Sequence, residues 1–371
     1  MQRMSRFTIW VGCLLISCAG AFGVPRDPRQ ARTLPGETTQ ASPRHDSVRA
    51  KVVIDTDPGA DDAMAILLAL NSPELDVKAL TVVAGNVVVE QGLENALRLV
   101  SLAGRCDVRV ARGAPRPLAQ KLITAEFFHG KNGLGNVELP APACPADPRF
   151  APDLIIELVH QYPHEITLVP VGPLTNIGLA VAKDPAIVPL VKEVVLMGGS
   201  ISGGNATAAA EANIYNDPEA ARVVFEAGWP LTMVGLNVTE KTVFARADLN
   251  QLAKTNGREN DFAVGVLNFM VDLAAKLGAD GTPMHDPLAV GAVIDRSLIT
   301  TLDMRVEVET RGEYTRGETV ASRHNSSDRK VLRGDHYIIE GIEKVQPNVH
   351  VAVGSDARRF IELFISRIAG K

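Results

Sequence analysis

The sequence has no run of basic residues: its 38 Lys and Arg are scattered among 43 Asp and Glu, and the formal net charge is −5. Nucleic-acid binding rests on a Lys/Arg surface that displaces counterions from phosphates, so this composition excludes nucleic acid as a partner. Cysteine is scarce, at four in 371 residues, and Cys13 and Cys18 fall in an N-terminal apolar stretch. The remaining Cys106 and Cys144 could pair in an oxidising compartment, but two isolated cysteines lay out no disulfide framework. What is present is the balance of a globular chain, 46% hydrophobic and 22% charged, long enough to bury a full core.

Arg3 and Arg6 precede an apolar stretch from Phe7 to Gly23 that ends in the small residues Ala19, Gly20 and Ala21. That layout predicts a secretory signal peptide over residues 1–23. Gly12, Ser17, Cys18 and Gly20 interrupt the run, which makes it marginal for a bilayer span of about 20 apolar residues. Leu15-Ile16-Ser17-Cys18 also resembles a bacterial lipoprotein box, in which a lipidated Cys18 would attach the protein to a membrane. Residues 24–49 are rich in Pro, Arg, Thr, Ser and Gln and read as a flexible linker, because they cannot repay the entropy of ordering. The expected product is an exported protein, periplasmic, secreted or lipid-anchored, with one domain over residues 50–371. Asn205-Ala-Thr, Asn237-Val-Thr and Asn325-Ser-Ser are glycosylation sequons for a eukaryotic source.

Past residue 50, strand-type and helix-type patterns alternate. Lys51-Val-Val-Ile-Asp55 reads as a strand, and Asp61 to Leu70 then takes an Ala/Leu/Met helical pattern. Strands follow at 77–83, 166–171, 193–197, 231–236 and 349–353, with helices at 91–102, 174–182, 218–227 and 356–368. Met304 to Glu309 and Tyr314 to Ala321 read as a hairpin. Repeated β-then-α units predict a single doubly wound α/β domain, with a mostly parallel sheet and helices on both faces. In such sheets ligands sit at the carboxyl ends of the strands, where this sequence is polar: Asp55-Thr-Asp57-Pro-Gly-Ala-Asp61-Asp62, then Gly85-Asn86, Gly172 and Gly198-Gly199.

Four carboxylates within eight residues repel one another. Asp61 and Asp62 at a helix N-terminus are accounted for by the helix dipole and free N–H groups. Asp55 and Asp57 are not, and carboxylates crowded into one cleft either raise a pKa or require a cation. A hard, oxygen-liganded ion such as Ca²⁺ or Mg²⁺ answers that need. His285-Asp286-Pro287 opens an apolar helix after a Gly-rich loop and places another carboxylate beside a potential acid; a helix cap is the commoner meaning of that tripeptide. Asn205, Glu211 and Asn213 suit sugar hydroxyls, though a polar surface loop reads the same way.

Asp55-Thr-Asp-Pro-Gly-Ala-Asp-Asp62 resembles the N-terminal signature of the inosine-uridine-preferring nucleoside hydrolase family. The resemblance continues, in the family's order, through Val83-Ala-Gly-Asn86, His129-Gly130, Leu168-Val-Pro-Val-Gly-Pro-Leu-Thr-Asn176, Val194-Val-Leu-Met-Gly-Gly199, Gly204-Asn-Ala-Thr207, Glu211-Ala-Asn213 and His285-Asp-Pro287. It implies calcium-dependent hydrolysis of the N-glycosidic bond of ribonucleosides. Asp57, Asp62 and Asp286 would hold Ca²⁺ with the main-chain oxygen of Val171, where the family often has Thr. Asp57 would also take a proton from the attacking water. Asp61, Asn86, Met197, Asn205, Glu211 and Asn213 would line the ribose site, and Asp55 would support the loop. His285 is the first choice to protonate the leaving base and His129 the second. A homo-oligomer is implied as well.

The chemistry matches these residue types, because cleavage develops oxocarbenium-like charge that carboxylates stabilise. The sequence departs from the family where some members stack the base on aromatics: Ala274 to Met284 contains none. Phe127 and Phe128 would compensate, or else belong to the core. Three other readings stay open: a haloacid-dehalogenase-type phosphatase built on Asp55-Thr-Asp57, an exported ribose- or nucleoside-binding protein without turnover, and a hydrolase of a modified nucleoside.

Overall fold

The computed structural model describes residues 49–322 and 346–370. The expected signal peptide, Cys18, all of the linker but residue 49, and the Asn325 sequon lie outside the described residues. The chain runs β1 (Ala50–Thr56), α1 (Ala60–Leu70), β2 (Leu75–Val82), α2 (Val89–Leu102), β3 (Arg109–Arg112) and the short α3 (Glu126–His129). Next come α4 (Ala151–Gln161), β4 (Ile166–Pro170), α5 (Thr175–Lys183), β5 (Glu193–Met197), α6 (Ala212–Asn216) and α7 (Pro218–Glu226). They are followed by β6 (Leu231–Val234), α8 (Leu236–Thr239), β7 (Val243–Ala245), α9 (Arg246–Leu252) and α10 (Arg258–Lys276). The last are β8 (Gly281–Pro283), α11 (His285–Ile294), β9 (Ile299–Val308), β10 (Thr319–Ser322), β11 (Val349–Ser355) and α12 (Ala357–Ala369).

Among the described residues, nine strands form one sheet in the order β10-β9-β11-β6-β5-β4-β1-β2-β3. Pairings from β11 to β3 are parallel, and β9 joins both β11 and β10 antiparallel. The α/β domain is therefore mostly parallel with an antiparallel margin. A separate two-stranded sheet pairs β7 with β8.

The central strands are buried on both faces, which is why they read as unbroken apolar runs. Alternate side chains go to opposite layers. Val52 and Ile54 of β1, with Val195 and Met197 of β5, join the core under α1, α2, α10, α11 and α12. Val53, with Val194 and Leu196, joins the core under α4, α5 and α7. Helix α1 is buried all round, the fate of a helix with no polar face, because it lies against both the sheet and α11.

The chain leaves β1 toward β2 and β3, then returns to place β4 on the other side of β1. That reversal opens a crevice at the carboxyl end of β1, the position where open α/β sheets bind ligands. The hairpin expected near the end is present as β9–β10, but its second strand begins at Thr319; Tyr314 is in the turn and exposed. The strand expected at 231–236 stops at Val234, and Leu236 already begins α8. Asn237, the acceptor of one sequon, is buried and donates its amide to the Ala352 carbonyl (2.7 Å), so it is not an accessible sugar acceptor.

Cys106 and Cys144 form a disulfide across 38 positions. The loop it closes contains β3, α3 and His129, and closure of that length removes unfolded-state entropy worth up to about 4 kcal/mol. Replacing both cysteines by Ser is expected to lower the melting temperature by about 5–10 °C. An unchanged melting temperature, with and without reductant, would show that the loop is held without the bond.

Candidate active site

Every residue singled out for the site except Asp55 and Asp62 lines one cavity of about 620 Å³ at the carboxyl end of β1. Asp62 lies just beneath it. The gathering follows from topology: β1 carries Asp55 and Asp57 follows its end, the first turn of α1 delivers Asp61 and Asp62, Val171 follows β4, and α11 begins at His285 and Asp286.

Asp62 organises the floor. One carboxylate oxygen accepts from the Thr56 hydroxyl (2.5 Å) and the Asp57 N–H (3.2 Å). The other accepts from the Gly59 N–H (3.0 Å) and the Asn86 amide (2.9 Å). Asp57 accepts from the Asn86 N–H (2.6 Å) on Oδ2, while its buried Oδ1 has no protein partner. Its carboxylate sits between two glycines: a Cβ at Gly85 would fall 2.0 Å from Oδ2, and one at Gly172 would fall 2.4 Å from Oδ1. Only glycine fits at either place. Asp55, one layer deeper, pairs in register with Thr81 across the sheet and accepts from the Thr81 hydroxyl (2.6 Å) and the Asn176 amide (2.8 Å).

Asp61, Asp62 and Asp286 each place a carboxylate oxygen within 4.8 Å of the others, and all three are buried. This tightest group contains Asp61, expected at the ribose, rather than Asp57. Asp57 borders it closely enough that its charge, with those of Asp61 and Asp62, adds to burial in raising Asp286 well above the ordinary carboxyl range. Burial and then the charge of Asp62 raise Asp57 in the same way. Burial pushes Asp55 up to about 7 against the two hydrogen bonds that pull it down. Buried carboxylate oxygens without donors on Asp57 and Asp61, beside a cluster of like charge, fit a hard divalent cation. Val171 adds a main-chain oxygen, which already accepts from the Asn213 amide (2.8 Å) and keeps a second lone pair.

The two histidines flank the acids differently. His129 Nδ1 accepts from the Ala60 N–H (3.1 Å), so its proton is on Nε2. The 3.5 Å approach of Asp61 to that same Nδ1 is then a contact of two acceptors, not a hydrogen bond. His285 bonds the Thr239 hydroxyl through Nδ1 (2.8 Å). Burial lowers the His285 pKa, and the Asp61 carboxylate opposes that.

Glu211 lines the cavity, but both of its carboxylate oxygens are engaged. They accept N–H bonds from Gly199 (2.9 Å), Asn213 (2.8 Å) and Ile214 (3.1 Å), which makes Glu211 the cap of α6. Asn213 donates to Val171 and Met197. Asn205 is exposed and accepts from the Ala212 N–H (2.9 Å). Phe127 and Phe128 are 65% and 54% exposed and stand edge-to-face at the cavity wall, which overturns their reading as core. Leu273, Ala274 and Leu277, at the end of α10, face the same space. No Lys or Arg lines it among the described residues.

The model of the inosine-uridine preferring nucleoside hydrolases matches residues 52–362. The chain belongs to that family. The hydrolase is 42% identical to the pyrimidine-specific ribonucleoside hydrolase RihA of Photobacterium profundum over 76% of its own length and 91% of the relative's. With the protein of the same description from Citrobacter koseri it shares 39%, over 86% and 97%. Among solved structures it superposes on a plant nucleoside hydrolase (TM-score 0.79, 37% identity, 87% and 99% covered). The purine-preferring ribonucleoside hydrolase of Gardnerella vaginalis matches as well (TM-score 0.78, 35% identity, 86% and 98% covered).

Two outcomes follow from this geometry. Gly172→Ala should displace the Asp57 carboxylate and lower turnover at least about 100-fold with little change in circular dichroism; near-native turnover would contradict the fit. Without a cation, the raised carboxyls favour the fold while protonated, a contribution lost as pH climbs through each raised value. For Asp55 the window runs from 3.8 to about 7. Asp57 and Asp286, which would hold the cation, are raised well above the ordinary carboxyl range, so the melting-temperature gain from an added divalent cation over chelated protein should widen as pH rises above that range. A gap independent of pH would count against the cluster as the binding site.

Proposed function

We propose that the protein is an exported hydrolase that uses Ca²⁺ to cleave the N-glycosidic bond of ribonucleosides, releasing ribose and a free base. The observation that carries this reading is the buried acidic cluster beside a cavity that is also lined by Phe127, Phe128, Leu273 and Leu277. Carboxylates serve the positive charge that develops on the sugar; apolar side chains serve a base.

Asp57, Asp62, Asp286 and the Val171 carbonyl would hold the ion, with Asp61 at its edge. When bound, Ca²⁺ supplies neutralisation of the carboxylates and a Lewis-acid centre for oxygen ligands. The protein's own groups do the rest. A water attacks the anomeric carbon as its proton passes to Asp57, whose Oδ1 has no protein partner. The bond from that carbon to the base nitrogen breaks, and its electron pair leaves with the base. The nitrogen takes a proton from His285, whose pKa burial lowers and the Asp61 carboxylate partly restores. Asn86, Met197, Asn205, Glu211 and Asn213 shape the ribose end, Glu211 by fixing the turn that carries Asn213. His129, with its proton on Nε2, serves as a hydrogen-bond donor at the cavity wall.

Phe127, Phe128 and the end of α10 take the base. Pyrimidine ribonucleosides are the proposed substrates, on the strength of the curated relatives, which are pyrimidine-specific. The Cys106–Cys144 bond supports export, since such bonds persist in oxidising compartments.

A panel of purine and pyrimidine ribonucleosides, assayed for reducing sugar with and without chelator, tests this. Turnover should require Ca²⁺, vanish in Asp57→Ala, and fall about 100- to 10,000-fold in His285→Ala. Phe127→Ala/Phe128→Ala should raise KM several-fold with a smaller effect on kcat, as loss of uniform binding does. Binding of calcium and ribose without release of any base would instead support a non-catalytic binding protein.

A further inference from the structure

Thr239 has no exposed surface, lies at the end of α8 and makes one contact of chemical interest: its hydroxyl is 2.8 Å from His285 Nδ1. Both ends of this bond are anchored. On one side, Leu236 donates its N–H to the Gly199 carbonyl (3.0 Å) and Asn237 donates its amide to the Ala352 carbonyl (2.7 Å), which fastens α8 to the loop after β5 and to the middle of β11. On the other, the Met284 N–H donates to the Thr242 carbonyl (2.9 Å), which fastens the residue before His285 to the turn after α8. Threonine is stiff at χ1, so a fixed backbone fixes the hydroxyl. With Nδ1 engaged, Nε2 is the ring nitrogen left for the cavity that His285 lines, and it has no protein partner among the described residues.

We infer that Thr239 is a positioning residue: its hydroxyl sets the plane of the His285 ring and keeps Nε2 turned toward the departing base. This rests on the reading above, in which His285 supplies that proton. A hydroxyl suits the task because it accepts from an Nδ1–H and donates to a bare Nδ1. The same partner therefore serves the ring before and after it gives up a proton from Nε2. A carboxylate at this place would add another anion beside Asp61 and Asp286; threonine orients the ring without doing so.

The test compares two leaving groups on the calcium-loaded enzyme. An ordinary ribonucleoside needs a proton on its departing nitrogen, whereas 4-nitrophenyl β-D-ribofuranoside releases a phenolate that leaves without one. Thr239→Val, which keeps the shape and deletes the hydroxyl, should lower kcat on the ribonucleoside about 10- to 100-fold with little change in KM. The same variant should leave turnover of the aryl riboside nearly unchanged, and Thr239→Ser should recover most of the lost rate. Equal loss on both substrates, or no loss on either, overturns the inference. Thr239→Ala provides the same comparison if Thr239→Val does not fold, with thermal unfolding of each variant to separate loss of fold from loss of the hydroxyl. His285→Ala is the control. If it slows both substrates alike, the acid role of His285 fails; if it slows only the ribonucleoside while Thr239→Val slows neither, that role stands and the inference about Thr239 fails.

Discussion

The structure is organised around the cost of crowding carboxylates where water cannot separate them. Asp61, Asp62 and Asp286 lie with oxygens within 4.8 Å of one another, and at an effective dielectric near 20 each fully charged pair at that range repels by about 3.5 kcal/mol. Three such pairs come to about 10 kcal/mol, which is comparable to the whole stability of a typical domain. Asp57 adds to the repulsion from alongside. Part of the cost is met by donors aimed at the acids: the Thr56 hydroxyl and the N–H groups of Asp57 and Gly59 for Asp62, and the Asn86 N–H for Asp57. The rest is met by protonation or by a cation, and only the second leaves the carboxylates able to act on a substrate near neutral pH.

The surrounding fold serves that arrangement. Parallel strands buried on both faces hold the ends of β1 and β4 side by side, and α1, buried all round, fixes the turn that carries Asp61 and Asp62. Gly85 and Gly172 let the backbone come close to Asp57 on both sides. The cavity is lined by both kinds of group: acids and amides from the strand ends and the loops after them, and Phe127, Phe128 and the end of α10. A ribose and a base differ in polarity in the same way, so one molecule can use both.

Much of this was legible in the sequence. Alternating β and α patterns gave the doubly wound core because short apolar runs such as Lys51-Val-Val-Ile-Asp55 are each followed by a helix-type pattern, the signature of a parallel sheet. Four acids in eight residues announced the cluster, since no surface turn explains them. Short or weakly patterned elements were not legible: β3, with Arg at both ends, and the two-stranded β7–β8 sheet. Helix α4 was missed although Pro152 and Asp153 sit in its first turn, because no side chain caps it. Residues whose meaning depends on a distant partner were also hidden. Asn237-Val-Thr239 read as a sequon, yet it supplies a buried amide for Ala352 and a hydroxyl for His285. Glu211 read as a sugar ligand because its two N–H partners on α6 and a third at Gly199 are invisible to local pattern. Phe127 and Phe128 read equally as core or cavity wall, and only their place on α3 decides it.

The most direct measurement is the number of protons released when Ca²⁺ binds to chelator-stripped protein at about pH 6, read from titration calorimetry in buffers of different ionisation enthalpy. Carboxyls held above their ordinary range by burial and by one another must lose protons to take up the ion, so net proton release accompanying binding is expected. Calcium binding with no proton release, or no binding at all, would contradict the claim that this cluster is a cation site.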